Sequence, residues 1–328
     1  MTRHLLFKRG VELGLFLVGL LVIGFAHAEN YPTKPIRLIV PYPPAGGVDG
    51  VARIAFKRIS EVLGQSVVID NRGGSSGVIA AETAVHAPAD GYTLFFGTTS
   101  TQVITPQYYR KLTYDPLKDF EPINLIAGAG YMLVVTPSLA VTSVKELVAL
   151  AKAKPGVLNF SSAGNGSTLH LTTELFNMTA GLKMLHVPYK GSAPALADLL
   201  SGQIQLTFNP ASVVLSLVKM GRLRALGISS AKRSALAPEL PTIAEAGMPG
   251  FEASGWYGVL GPAHLNKALI QTLNQAINLS LMDKEVKERF AATGVEAIGL
   301  SAQQFDRYIR EEYDKWGKVI RVAGVKAE

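Results

Sequence analysis

The chain has 328 residues, of which 48% are hydrophobic and 17% charged. That is enough to bury a large core and too apolar for a disordered chain. It has no cysteine, which excludes a disulfide scaffold, a thiol nucleophile and a lipidated N-terminal cysteine. The formal charge is +7, with basic residues interspersed among acids, so the balance suits anionic small molecules and does not argue for nucleic acid.

Residues 1–28 stand apart. Arg3, Lys8 and Arg9 precede an apolar run at 13–25 and the small-x-small pattern Ala26-His27-Ala28. This is the layout of a cleaved secretory signal peptide. The run is short of the roughly 20 residues that span a bilayer. Cleavage starts the mature chain at Glu29 and lowers the formal charge to +5.

From residue 36 onward, apolar runs of strand length alternate with helix-length segments. Strand 36–40 precedes a helix at 51–63; strand 66–69 precedes a helix at 78–86; strand 92–97 is entered from the turn Pro88-Ala89-Asp90-Gly91. Strand 133–136 leads to a helix at 144–153, opened by the capping box Ser143-x-x-Glu146 and stopped by Pro155-Gly156. Strand 158–161 precedes a helix at 168–178, and short apolar runs follow at 186–188, 205–208 and 225–228. Such alternation predicts an α/β chain with parallel sheets and helices on both faces. The last helix opens at a second capping box, Ser301-x-x-Gln304, and ends at Gly324. Its apolar face carries Trp316, which reads as core packing. Gly128-Ala129-Gly130 and the stretch 247–258 are the candidate hinges.

Two small-residue loops stand between a strand and a helix. The first is PYPPAGGVDG at 41–50; the second is SSAGNGS at 161–167. The first N–H groups of a helix lack internal acceptors and carry the positive end of its dipole. An anion can be held there if side chains stay clear, as Gly46, Gly47, Ala163, Gly164 and Gly166 allow. Each loop reads equally as a tight turn, with Asp49 and Ser167 as helix N-caps. The two strand–loop–helix units echo each other in plan.

A third stretch contains Gly73-x-Ser75-x-Gly77, the nucleophile-elbow spacing. Asn71 and Arg72 separate it from the strand, whereas an elbow leaves the strand at once, so a flexible Gly/Ser turn is preferred. A secreted serine hydrolase using Ser75 stands as the alternative. Lys190-Gly191-Ser192 lacks P-loop spacing. His86, His170, His186 and His264 are scattered, so neither a metal site nor a cofactor is expected. Tyr189 and Lys190 precede a further helix and either reach a ligand carboxylate or pack and solvate. Trp256-Tyr257-Gly258 lines a cleft or fills it.

Ordered motifs over the whole of 29–328 now carry a resemblance. They are Tyr31-Pro32-x-Lys34-Pro35-Ile36-Arg37, Pro41-Tyr42-Pro43, Asn71-Arg72, Asp90-Gly91-Tyr92-Thr93-Leu94 and Tyr114-Asp115-Pro116-Leu117-Lys118-Asp119-Phe120. Further on come Ser162-Ala163-Gly164-Asn165-Gly166-Ser167, His186-Val187-Pro188-Tyr189-Lys190-Gly191, Arg224-Ala225-Leu226, Pro241-Thr242-x-x-Glu245-Ala246-Gly247 and Trp256-Tyr257-Gly258. The chain resembles the extracytoplasmic solute receptors of tripartite tricarboxylate transporters, the Bug receptors. The resemblance implies a type II periplasmic-binding-protein fold: two α/β lobes with a ligand cleft between them. It implies a discontinuous first domain (29–128 and 254–328), a second domain at 129–253, and hinge closure on a small carboxylate, either a di- or tricarboxylate or an aromatic acid. It implies a monomer in the periplasm, membrane permease subunits as partners, and no enzymatic activity.

The ligand-binding set implied is Tyr42, Ala45, Gly46, Gly47 and Asp49 from the first loop, Thr98, then Ser162, Ala163, Asn165, Gly166 and Ser167 from the second, with Tyr189 and Asn209. Two positions depart from the family pattern. Ala45 stands where glycine is usual, and Asn209-Pro210 where an Asp, often followed by Asn, is usual. Asn209 donates as well as accepts, so the site is expected to favour a ligand with no ammonium group there.

Overall fold

The computed structural model describes residues 31–109 and 112–325; the signal peptide expected at 1–28 and the mature start at Glu29 lie outside the described residues. Residues up to Thr33 group with the N-terminal segment, and the fold is that of the unit from Lys34 onward. Its strands are β1 (Ile36–Val40), β2 (Val67–Asn71), β3 (Thr93–Thr98), β4 (Phe120–Val135), β5 (Asn159–Ser162), β6 (Leu185–Pro188), β7 (Leu206–Pro210), β8 (Arg224–Ile228), β9 (Ser254–Pro262) and β10 (Glu296–Ala297). Its helices are α1 (Gly47–Leu63), α2 (Val78–Val85), α3 (Thr105–Tyr108), α4 (Val144–Ala153), α5 (Thr168–Ala180), α6 (Ser192–Ser201), α7 (Ala211–Lys219), α8 (Lys267–Leu281), α9 (Lys284–Ala292) and α10 (Ala302–Ala323).

The strands lie in the order β2-β1-β3-β9-β4-β7-β5-β6, with β8 and β10 also paired to β4. β1 runs parallel to β2 and β3, and β5 parallel to β6 and β7, as strands joined through helices should. Between these sets β9 and β4 are antiparallel to each other and to their neighbours. The sheet is therefore mixed, which corrects the expectation of parallel sheets throughout. The sequence reading placed a strand only at 133–136, whereas β4 has 16 residues. Its first part pairs β9, from Phe120↔Pro262 to Gly130↔Ser254, and its last part pairs β7 and β8. One strand thus belongs to both sets.

Glycines hid this strand from a sequence reading, and packing explains them. A Cβ on Gly258 of β9 would lie 2.2 Å from the Phe305 ring of α10, and one on Gly130 of β4 would lie 2.4 Å from Ser230 Oγ. The side chains are missing because neighbouring elements occupy their space. Phe305 then stacks edge-on to Trp256, with ring centroids 5.5 Å apart.

One core runs from Ile39 and Phe95 through Leu125 and Leu133 to Phe160 and Phe208, and is closed by Phe305, Trp316 and Ile320 of α10. A smaller core joins Met132 and Ile228 to Leu199 of α6 and Val214 of α7. Trp316 is fully buried, as expected, and its indole N–H donates to Glu312, 2.9 Å away. The Ser301/Gln304 capping box forms, and Gly324 ends α10 in the left-handed conformation. The first box is displaced by one residue. Ser143 Oγ accepts the Glu146 N–H, but the Glu146 carboxylate accepts from the N–H of Thr142. Helices α7, α8 and α9 were not read from the sequence. Among the described residues no helix is long and apolar enough to cross a membrane.

Gly258→Ala tests the packing account. With the Phe305 ring on one side and the Asn124 carbonyl 3.2 Å away on the other, the expected loss in urea-unfolding stability is about 1–3 kcal/mol. A change no larger than that of an ordinary surface substitution would show that α10 is not seated on this glycine.

Candidate functional site

The first loop leaves β1 at Val40 and enters α1 at Gly47, four residues earlier than expected. Its N-cap is Gly46, in extended conformation and with no capping side chain. Asp49 is therefore not the N-cap that the sequence suggested. It is the third helical residue, only 2% exposed, and its carboxylate turns back to accept the Ala45 N–H at 2.9 Å. The same carboxylate accepts from Arg53 Nε at 2.8 Å and Asn71 Nδ2 at 3.0 Å. Burial alone would raise the Asp49 pKa; these hydrogen bonds outweigh it and hold the group below the usual carboxylate range. Asn71 also donates to the Tyr42 carbonyl at 2.9 Å, and the Arg72 N–H to the Val40 carbonyl at 2.8 Å. The Asn71-Arg72 motif on β2 thus pins both ends of the neighbouring loop.

Pointing the Ala45 N–H at Asp49 places Ala45 at φ +65°, the left-handed region that favours glycine. The departure from the family pattern leaves the glycine-like conformation in place, at a cost of about 1–2 kcal/mol. Beyond it, the N–H groups of Gly46, Gly47 and Val48 have no hydrogen-bond acceptor among the described residues. Gly46 and Gly47 are exposed. This is the bare helix terminus that an anion needs.

The second loop is built alike. Ser167 is the N-cap, as expected, its Oγ accepting the His170 N–H at 3.3 Å. His170, the third helical residue, turns back and accepts the Gly166 N–H on Nδ1 at 3.1 Å. Ser162 Oγ accepts the Gly164 N–H at 3.1 Å and lies 2.6 Å from His186 Nε2. The two imidazoles stack, with centroids 3.6 Å apart and planes 11° apart, and Phe160 lies 4.9 Å from the His186 ring. Burial, helped by His170, pushes the His186 pKa down to about 3, so this ring is neutral at ordinary pH. The loop spends the amides of Gly164, Gly166 and Ser167 internally. Those of Ala163, Asn165 and Thr168 have no acceptor among the described residues.

Tyrosines join the loops. Burial raises the pKa of Tyr131 of β4, helped by the phenols of Tyr257 and Tyr42 and opposed by the Thr168 side chain. Tyr257 is pushed up to about 12 by burial and by Tyr42. Tyr42 of the first loop and Tyr131 and Tyr257 of the crossing strands therefore lie within electrostatic reach of one another, with Thr168 at the head of α5 beside Tyr131. Of these the sequence reading had Tyr42, left Tyr257 as lining or filling, and missed Tyr131 and Thr168. Tyr131 directly follows the glycines read as a hinge, which was its only signal.

The remaining candidates sit less directly. Thr98 is buried in a closed exchange with Thr101, giving its N–H to Thr101 Oγ1 at 3.0 Å and accepting the Thr101 N–H at 3.3 Å. Tyr189 donates its hydroxyl to Asp198 in a short hydrogen bond. Its donor therefore points to α6 and is already engaged. Asn209 is 1% exposed, with Nδ2 on Thr207 Oγ1 at 3.3 Å and Oδ1 without a partner among the described residues. Thr207 Oγ1 gives its own proton to a backbone carbonyl, so it accepts from Asn209. The side-chain atom of Asn209 left without a partner among the described residues is the acceptor Oδ1.

Ser75 is exposed, with Ser75 and Ser76 at φ +47° and +55° in a 3-10 turn. His86, His170 and His186 are each engaged elsewhere. Among the described residues, no group of His, Asp and Glu side chains is arranged to hold a metal ion.

A mixed α/β sheet in which β4 is shared by both strand sets, with a small-residue loop leading to a helix N-terminus in each set, is the fold of a two-lobed solute-binding protein. The chain belongs to the tripartite tricarboxylate transporter receptor family, whose pattern it matches over residues 51–325. This is a family of binding receptors and not of enzymes, and the Ser75 hydrolase reading falls with it. The chain is 36% identical to BugT of Bordetella pertussis over 315 residues, covering 96% of this chain and 97% of BugT. Among solved structures it resembles R. palustris Rpa4515 with adipate, at 39% identity and TM-score 0.74, covering 91% of this chain and 100% of that one. It also resembles MatC from Rhodopseudomonas palustris with bound malate, at 27% identity and TM-score 0.70, covering 88% of this chain and 100% of that one.

Ala45→Gly tests the geometry of the first loop. Relief of the left-handed alanine exceeds the added unfolded-chain entropy, so urea denaturation should show a gain of about 0.5–1 kcal/mol. A loss of that size would mean Ala45 is not held at positive φ.

Proposed function

We propose that the protein is a periplasmic receptor that captures a small dicarboxylate in the tyrosine-lined cleft and delivers it to membrane permease subunits. The observation that carries this reading is the pair of helix N-termini, each with unclaimed amides at 46–48 and at 163, 165 and 168. One carboxylate is held by each, or one carboxylate by both. Backbone N–H groups in a partly dry cleft form strong hydrogen bonds to an ionised carboxylate. The relatives solved with adipate and malate support the ligand class. Closure brings the segment 129–253 toward 29–128 and 254–328 about the β4/β9 crossing. The exported, monomeric form is the working state.

Asn209 refines the ligand. Its free Oδ1 takes a hydrogen bond from a hydroxyl but brings no charge to balance an ammonium group. Carboxylates without an amine should therefore bind better than amino acids.

A thermal-shift panel of the mature protein against mono-, di-, tri- and aromatic carboxylates and acidic amino acids tests this. Dicarboxylates should stabilise most; at a hundredfold excess over Kd the gain is about 2.7 kcal/mol. Amino acids binding best would remove the role given to Asn209, and no shift with any carboxylate would overturn the reading. Gly46→Val tests the first loop. Gly46 has φ −81° and a Cβ there would lie 3.5 Å from the Pro43 carbonyl, so valine fits the ligand-free loop. Its melting temperature should stay near that of the parent while ligand stabilisation disappears; a retained shift would exclude the loop from the site.

A further inference from the structure

Both ligand loops are closed by the same device. The third residue of the helix turns its side chain back onto the N–H of the residue that precedes the N-cap. In α1 this is Asp49 on Ala45, in α5 His170 on Gly166. The acceptors differ in one respect. Asp49 is held ionised by Arg53, whereas an imidazole accepts on Nδ1 only while that nitrogen carries no proton.

We propose that His170 is a positioning residue of the ligand site, and that its unprotonated Nδ1, by holding the Gly166 amide, keeps turn 163–166 in the shape that binds a carboxylate. The proposal rests on the reading of this turn as half of the ligand site. Without this acceptor the turn loses its anchor, because Gly164 and Gly166 stand at φ +131° and +69° and have no side chains to hold them. Affinity therefore falls when the acceptor is removed.

His170 is held where this bond needs it. It is 4% exposed. Its ring stacks on His186 of β6, with centroids 3.6 Å apart, and on Phe160 of β5 at 6.1 Å. Glu174 on its own helix lies 3.7 Å from Nε2.

The test is titration calorimetry with adipate for the parent, His170→Asn and His170→Phe. The asparagine amide oxygen takes the place of Nδ1 as acceptor. His170→Asn should bind within about threefold of the parent, and His170→Phe about tenfold more weakly, the loss of one hydrogen bond. In the ligand-free protein, hydrogen exchange at the Gly166 amide should be as slow in His170→Asn as in the parent and faster in His170→Phe. Parent affinity in His170→Phe, or a loss in His170→Asn as large as in His170→Phe, overturns the proposal. Failure of the whole panel to bind the parent would instead overturn the carboxylate site itself, and this proposal with it.

Discussion

The site depends on a single kind of hydrogen bond: a side chain in the first turn of a helix accepting the amide just before that helix begins. Without it, the residue ahead of the N-cap would be free to rotate, and the amides beyond it would point in no fixed direction. With it, Ala45 is drawn into the left-handed region and Gly46 and Gly47 follow in one conformation. A cradle fixed before the ligand arrives loses less entropy on binding. The bond also removes one amide from each loop, so that the loops offer the next amides in the chain. A sequence reading that counts every small residue as a contact overestimates the cradle.

The second constraint is the crossing of β4 and β9. Two sets of parallel strands each place a loop at a carboxyl end, where open α/β sheets bind ligands. Joining the sets needs strands that serve both, and β4 does so by changing partners along its length. Close packing of α10 over the crossing fixes where glycine must stand. The same strands carry Tyr131 and Tyr257, so on the proposed reading the elements that join the two strand sets also line the ligand site.

Much of this was legible. The two loops, the α4 and α10 boundaries, the burial of Trp316 and the cap at Ser167 follow from local rules, because turns, caps and amphipathic faces involve residues within a few positions of each other. What was missed involves partners far apart. β4 looked like a hinge because Gly130 answers to Ser230, and β9 did so because Gly258 answers to Phe305, neither of which a window of sequence contains. Asp49 was assigned as a cap because the residue type is right, but the chain starts its helix earlier and gives Asp49 a stronger task with Arg53 and Asn71. Asn209 was assigned by resemblance and Tyr189 also from its place ahead of a helix, and their hydrogen-bond partners Thr207 and Asp198 decide which of their atoms remain free.

The site's electrostatics follow from the same bonds. Arg53, behind the first loop, is engaged with Asp49; the second loop is backed by the stacked rings of His170 and His186. On the proposed reading, an anion there is met by the oriented amides of the two helix ends. Dipoles fixed by the fold act at short range and are screened little by salt when partly buried. Selectivity then comes from where the amides point and from the spacing between the two helix ends. A receptor of this kind discriminates carboxylates by length and shape, and a shift of one anchoring side chain changes the fit without changing any charge at the ligand.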